Sequence, residues 1–164
     1  MILHSTNGVS PKVSFAQGIA NGLAPDGGLY MPDSLPTLPR AFYRNIGEMS
    51  LRDVGYVVAN TLFGDMVSST KLKAIVDESL NFDIPLRHVA GNRYVLDLFN
   101  GPTFSFKDVG ARFMARLMPE LPWTDSHRER NIILATSGDS GGAIANAFSR
   151  SANTNVYIPV SYTH

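Results

Sequence analysis

The segment NIILATSGDSGGAIANAFSRS, residues 131–151, reads as strand, tight turn and helix in immediate succession. NIILAT, residues 131–136, is a short apolar run of the kind that fills a buried parallel strand, and AIANAFSRS, residues 143–151, has the composition of a helix. Between them SGDSGGA, residues 137–143, offers backbone N–H groups at the positive end of a helix dipole, with few side chains to keep an anion away. It is a candidate cradle for a carboxylate or a phosphate. The plainer reading is that the glycines only make a tight turn.

Outward from this segment the pattern repeats. VYIPV, residues 156–160, is the next expected strand, although Pro159 is awkward in a central one. Upstream, PLRHV and RYVLDLF flank Gly91-Asn92 as a β-hairpin, with Tyr94, Leu96 and Leu98 on one face and Val95, Asp97 and Phe99 on the other. A helix is expected from Lys107, because Val109, Phe113, Met114, Leu117 and Met118 fall on one stripe before Pro119 stops it. PELPWTDSHRER, residues 119–130, reads as an exposed loop. Strands alternating with helices imply an α/β fold, part of an open, mostly parallel sheet with flanking helices, whose ligands collect beyond the carboxyl ends of the strands.

Gly138 to Gly142 also matches G-x-S-x-G, the nucleophile elbow of α/β-hydrolases, with Ser140 as attacking group. That chemistry needs an acid and then a histidine further on, and after Ser140 the chain has no acid and only His164. GDSGG echoes trypsin-like proteases too, but their all-β body conflicts with the helices on either side.

Residues 1–84 read as a helical region with little chemistry. Ser14 with Gln17 forms a capping box closed by Gly22, Ser50 with Asp53 opens a second helix, and Ser68-Ser69 opens a third. LYMP, residues 29–32, is a possible short strand, and PDSLPTLPRAF a proline-punctuated connection. Domain boundaries are therefore expected at 1–84 and 85–164.

FNGPTFSFKDVGARF, residues 99–113, raises a chemical question. Lysine is rarely buried, yet Lys107 stands at the mouth of a helix between Phe106 and Asp108, where the helix dipole disfavours a cation. Apolar neighbours such as Phe104 and Phe106 would favour the neutral amine, the state in which a lysine attacks a carbonyl. Pairing with a carboxylate, or simple solvation, is the bland alternative. Asp108 is expected to cap the helix. Arg112 either faces solvent or meets a phosphate.

Composition narrows the function. Lys plus Arg equals Asp plus Glu at 14 each, so no net field favours nucleic acid or an anionic membrane, and there is no cysteine for a disulfide or a thiolate metal site. His4, His88 and His127 lack metal-ligand spacing, so no metal is expected. Neither a basic leader nor an apolar run of spanning length is present, which makes a cytoplasmic location the expectation.

GPTFSFKDVGARF resembles the cofactor-lysine segment of the threonine synthases, pyridoxal-phosphate enzymes of fold type II related to the tryptophan synthase β family. TSGDSGGA resembles their TSGDTGxA loop, and STNG and GLAPDGGLYMP resemble their opening signature. The resemblance covers most of the chain. It implies that Lys107 holds pyridoxal 5'-phosphate and shuttles protons. Ser137, Gly138, Asp139 and Ser140 would then lie beside cofactor and substrate, with Arg112 a further candidate for substrate. The implied reaction takes O-phospho-L-homoserine and water to L-threonine and phosphate, in a monomer or homodimer. Asn100 stands where the family often has His, and Ser140 where it has Thr. The loop for the cofactor phosphate and the partner of the pyridine nitrogen come later in that family than Val160, so an N-terminal fragment is expected. Such a fragment would be either active or a catalytically inactive binding module with exposed, association-prone edges.

Overall fold

The computed structural model describes residues 1–123, 129–136 and 138–159. The chain divides into two compact units, Met1–Lys73 with Leu121–Thr124 and Ala74–Glu120 with Asp125–His164. Among the described residues no helix is long and apolar enough to cross a membrane.

The first unit begins with β1 (Ile2–Ser5), β2 (Val13–Ser14) and α1 (Phe15–Asn21), followed by β3 (Tyr30–Pro32). The strands form an antiparallel sheet in the order β2-β1-β3, with Leu3 opposite both Val13 and Pro32. Both expected capping boxes are present. Ser14 and Gln17 satisfy each other's backbone N–H groups at the start of α1, and Ser50 and Asp53 do so at the start of α3 (Leu51–Phe63). A short α2 (Arg40–Asn45) occupies the proline-punctuated stretch read as a connection. Its N-cap is Pro39, where a missing N–H costs nothing because helix starts leave that group unpaired anyway. The last helix, α4 (Ser69–Ser79), begins at the expected serine pair, and the division between the two units falls within it.

The second unit carries β4 (Leu86–Ala90) and β5 (Arg93–Leu96), the expected hairpin, with a register shift between His88 and Ala90. Every residue of both strands is exposed, so the two faces inferred from alternation do not become an inside and an outside; the first buried side chain is Asp97. Next come α5 (Lys107–Leu117), β6 (Arg130–Ile133), α6 (Asp139–Phe148) and β7 (Thr154–Tyr157). β6 and β7 pair in parallel, Ile132 beside Val156, with α6 as the crossover. This is a mixed α/β arrangement of small sheets.

Several expectations need adjusting. β6 alternates between half-buried and exposed, and Ile133 is largely exposed, because only one strand pairs with it among the described residues. β7 ends at Tyr157, leaving Pro159 outside the ladder where its missing N–H is harmless; Val160 lies outside the described residues. α6 begins at Asp139, four residues earlier than the sequence suggests, so the glycine-rich motif is itself the first turn. α5 buries Asp108, Ala111, Ala115 and Leu117 rather than the larger stripe of Val109, Phe113 and Met114. Its neighbour α6, packed against it, buries Gly141, Ala143 and Phe148, with Gly141 lying against Thr136 and Ile158.

One carboxylate ties the first unit's two turn motifs together. Asp26, from PDGG, accepts from Ser5 Oγ at 2.6 Å and from the backbone N–H groups of Val9 (3.1 Å), Ser10 (2.8 Å) and Gly28 (3.0 Å). The Ser5 hydroxyl, with those N–H groups, holds its carboxyl well below the usual carboxylate range. Its stabilising effect is thus complete above the unfolded value of about 4 and is lost as pH falls through the lower folded value. Asp26→Asn should lower the urea midpoint at pH 7. The gap to the parent chain should narrow as unfolding is repeated at successively lower pH; a constant gap from pH 7 to pH 2 would contradict this.

Candidate functional site

The loop leading to Lys107 is anchored at both ends by buried carboxylates. At its start Asp97, buried, accepts from Arg87 Nε at 2.8 Å and from Phe99 N at 3.4 Å, while its own N–H donates to Pro85 O. The Arg87 guanidinium holds the Asp97 carboxyl below its ordinary range. Asn100 Nδ2 donates to Asp83 O at 3.2 Å.

At the other end Asp108 is completely buried. Its carboxylate accepts from Thr103 Oγ1 at 2.6 Å and from Thr103 N at 2.9 Å, pulling the GPT turn down onto α5. The helix N-cap is Phe106, which makes no side-chain cap, so Asp108 does not cap the helix as expected but reaches back across the loop. Gly101 follows from this: a Cβ there would lie 2.5 Å from Asp108 Oδ2. Ser105, also buried, accepts from Asp108 N through its carbonyl and from Lys107 N through Oγ at 3.3 Å. Phe104 is forced to φ +56°, a region costly for an aromatic residue.

The result is a lysine at the first position of α5 with its side chain one-third exposed. Nζ stands 4.3 Å from the centre of the Phe106 ring and 3.9 Å from Asp139 Oδ2, at the first position of α6. The apolar wrapping expected from Phe104 and Phe106 does not form: they are 80% and 61% exposed, and Phe106 offers its ring face to a cation. Ring and carboxylate both attract an ammonium.

The second motif meets the first. The N-cap of α6 is Gly138, whose φ of 153° favours glycine and which leaves the first turn without a side-chain cap. The N–H groups of that turn remain available to an anion. Gly141 serves packing, since a Cβ would lie 2.6 Å from Thr136 Cγ2, whereas Gly142 faces open space. Ser140, half-buried in the first turn, makes no side-chain hydrogen bond to a described residue. Ser137, His127 and His164 lie outside the described residues.

Arg112 points elsewhere. Its Nε donates to Ser79 O (3.2 Å), and one Nη donates to Glu78 O (2.6 Å) and Asn81 Oδ1 (2.7 Å), so it closes the C-terminus of α4. Of the histidines, His4 bonds Asp33 at 2.9 Å and His88 bonds Gly91 O at 2.8 Å. Sequence reasoning missed Asp97, Thr103 and Ser105. A threonine five residues before an aspartate, after a Gly-Pro turn, is the one signal that could have suggested the Asp108 clasp.

Comparison with known proteins places the chain in a family. A family model described as "Threonine synthase N terminus" matches residues 3–80. The threonine synthase of Haemophilus influenzae is 34% identical over 158 residues, covering 96% of this chain and 36% of that protein. The crystal structure of PLP-bound threonine synthase from Brucella melitensis superposes with a TM-score of 0.87 at 33% identity, covering 98% of this chain and 35% of the other. The chain belongs to the threonine synthase family. It matches the N-terminal portion, spanning about a third of the length of the curated relatives. The Escherichia coli threonine synthase structure gives the same picture at a TM-score of 0.85, so the small sheets described above are part of a fold type II architecture.

The clasp should be measurable in this threonine synthase portion. Asp108→Ala leaves two half-buried Thr103 donors unpaired and should cost about 1–3 kcal/mol in urea unfolding. Gly101→Ala drives a methyl into the same carboxylate and should cost about 1–3 kcal/mol. Urea midpoints of either variant equal to the parent's would show that the loop is held some other way.

Proposed function

We propose that this chain supplies the amine half of a pyridoxal 5'-phosphate site, in an enzyme converting O-phospho-L-homoserine and water to L-threonine and phosphate. The observation that carries the reading is the meeting of Lys107 Nζ with the glycine-rich start of α6, 3.9 Å from Asp139. The residues present suit such a group: an amine one-third exposed, hence open to an aldehyde, next to a helix N-terminus whose free N–H groups suit anionic oxygens. When bound, pyridoxal phosphate provides an electron sink for a carbanion on the amino-acid substrate.

In this reading the protein's own groups divide the work. Lys107 would hold the cofactor through its amine and carry protons at Nζ. The backbone N–H groups after Gly138, with the hydroxyls of Ser137 and Ser140, bind the substrate carboxylate. Asp139 neutralises the waiting ammonium. Arg112, its donors held largely by α4, steadies α5. Residues 85–164 form the cofactor portion, downstream of the stretch matched by the N-terminal family model. The protein acts in the cytoplasm, as a monomer or homodimer.

Incubating the chain with pyridoxal phosphate, reducing with borohydride and mapping the adduct tests the amine. A stoichiometric tag on Lys107, abolished in Lys107→Ala, is expected; a tag scattered over surface lysines would sink the proposal. A fluorophosphonate should leave Ser140 unlabelled, since no described histidine bonds it; labelling there would favour a serine hydrolase.

A further inference from the structure

A second cleft, of about 290 Å³, lies between α5 and α6 and is lined by Pro102, Arg112, Arg116, Asn146, Ser149 and Arg150. It is separate from the lysine: Asn146 sits seven residues along α6 from Asp139, roughly 10 Å at 1.5 Å per residue. Three guanidinium groups line this one small space, together with an amide and a hydroxyl.

The local charge is not balanced. Arg116 Nε holds Glu78 Oε2 at 2.9 Å, which accounts for one cation. Arg112 bonds only neutral acceptors, the carbonyls of Glu78 and Ser79 and the amide of Asn81. Arg150 has no hydrogen-bond or ion-pair partner among the described residues. Arg112 Nη1 and Arg116 Nη2 likewise make no hydrogen bond to a described residue. Burial and then the charge of Arg116 pull the Arg112 guanidinium below its usual value, so the two cations repel each other, while the carboxylates of Asp108 and Glu78 offset part of that effect. Two carboxylates, Glu78 and Asp108, act on these three guanidinium groups, and a helix C-terminus carries only about half a negative charge, so a positive surplus remains.

We propose that this cleft binds a phosphate group, free or as a small phosphate monoester, through the guanidinium groups of Arg112, Arg116 and Arg150. Planar guanidinium forks match the oxygens of a tetrahedral oxyanion, and relief of the mutual repulsion adds to each contact. Asn146 Nδ2 is a further donor, while Ser149 Oγ already donates to Asn146 O at 2.8 Å. The site does not depend on the function proposed for Lys107.

The test is a titration of the 164-residue chain, followed by amide and arginine Nε NMR shifts, with ionic strength held constant by chloride. One arm uses inorganic phosphate and the other glycerol phosphate. Saturable shifts are expected at Asn146, Ser149 and Arg150 and at Nε of Arg112 and Arg116. Arg150→Gln, at an exposed residue without partners, should weaken binding about fivefold or more, and Arg116→Gln should act in the same direction. Tighter binding of the inorganic ion assigns free phosphate, tighter binding of the ester assigns a monoester, and equal binding assigns the phosphate group itself. Shifts confined to Gly138–Ser140, shifts reproduced by chloride alone, or an Arg150→Gln chain of unchanged affinity would overturn the proposal.

Discussion

The buried clasp of Asp108 on Thr103 is the constraint from which the site follows. A carboxylate without solvent exposure needs strong donors, and it finds them in the backbone and hydroxyl of one residue five positions upstream. Closing that short arc forces glycine at position 101, tips Phe104 into a left-handed conformation and buries Ser105. Lys107 is then delivered at the first position of α5 with little freedom in its backbone. The strain at Phe104 is tolerated because the clasp over-determines the loop.

The second requirement is the close approach of two helices. Ala111 and Ala115 on α5, and Ala143 on α6, are small buried positions of a closely packed pair whose first residues, Lys107 and Asp139, end up 3.9 Å apart at side-chain level. Larger residues on those faces would separate the backbones and take the amine away from the glycine-rich turn. The same approach gathers the arginines of both helices around the second cleft. Helix packing by small residues thus serves the lysine at one end and concentrates positive charge further along.

The electrostatics of Lys107 differ from what its aromatic neighbours suggest. Two phenylalanines in sequence imply an apolar pocket, but the strained turn sends Phe104 into solvent and leaves only the face of Phe106 under Nζ. The amine therefore has a carboxylate and a π-face for company. Sequence adjacency says nothing about which way a side chain points when one residue of the loop has positive φ.

Local chemistry was readable directly: the capping boxes at Ser14 and Ser50, the hairpin turn at Gly91-Asn92 and the strand, glycine turn, helix succession after residue 130 depend on neighbours a few positions apart. So did the family, because the lysine segment, the glycine-rich loop and the N-terminal signature are each contiguous. What only the tertiary structure decided was which polar groups lose their water. Asp97 and Asp108 look like ordinary surface acids in the sequence, and Arg112 like a candidate anion ligand. Their roles are set by burial and by partners such as Arg87 and Ser79, which the sequence separates by 10 to 33 positions and folding brings within hydrogen-bond reach.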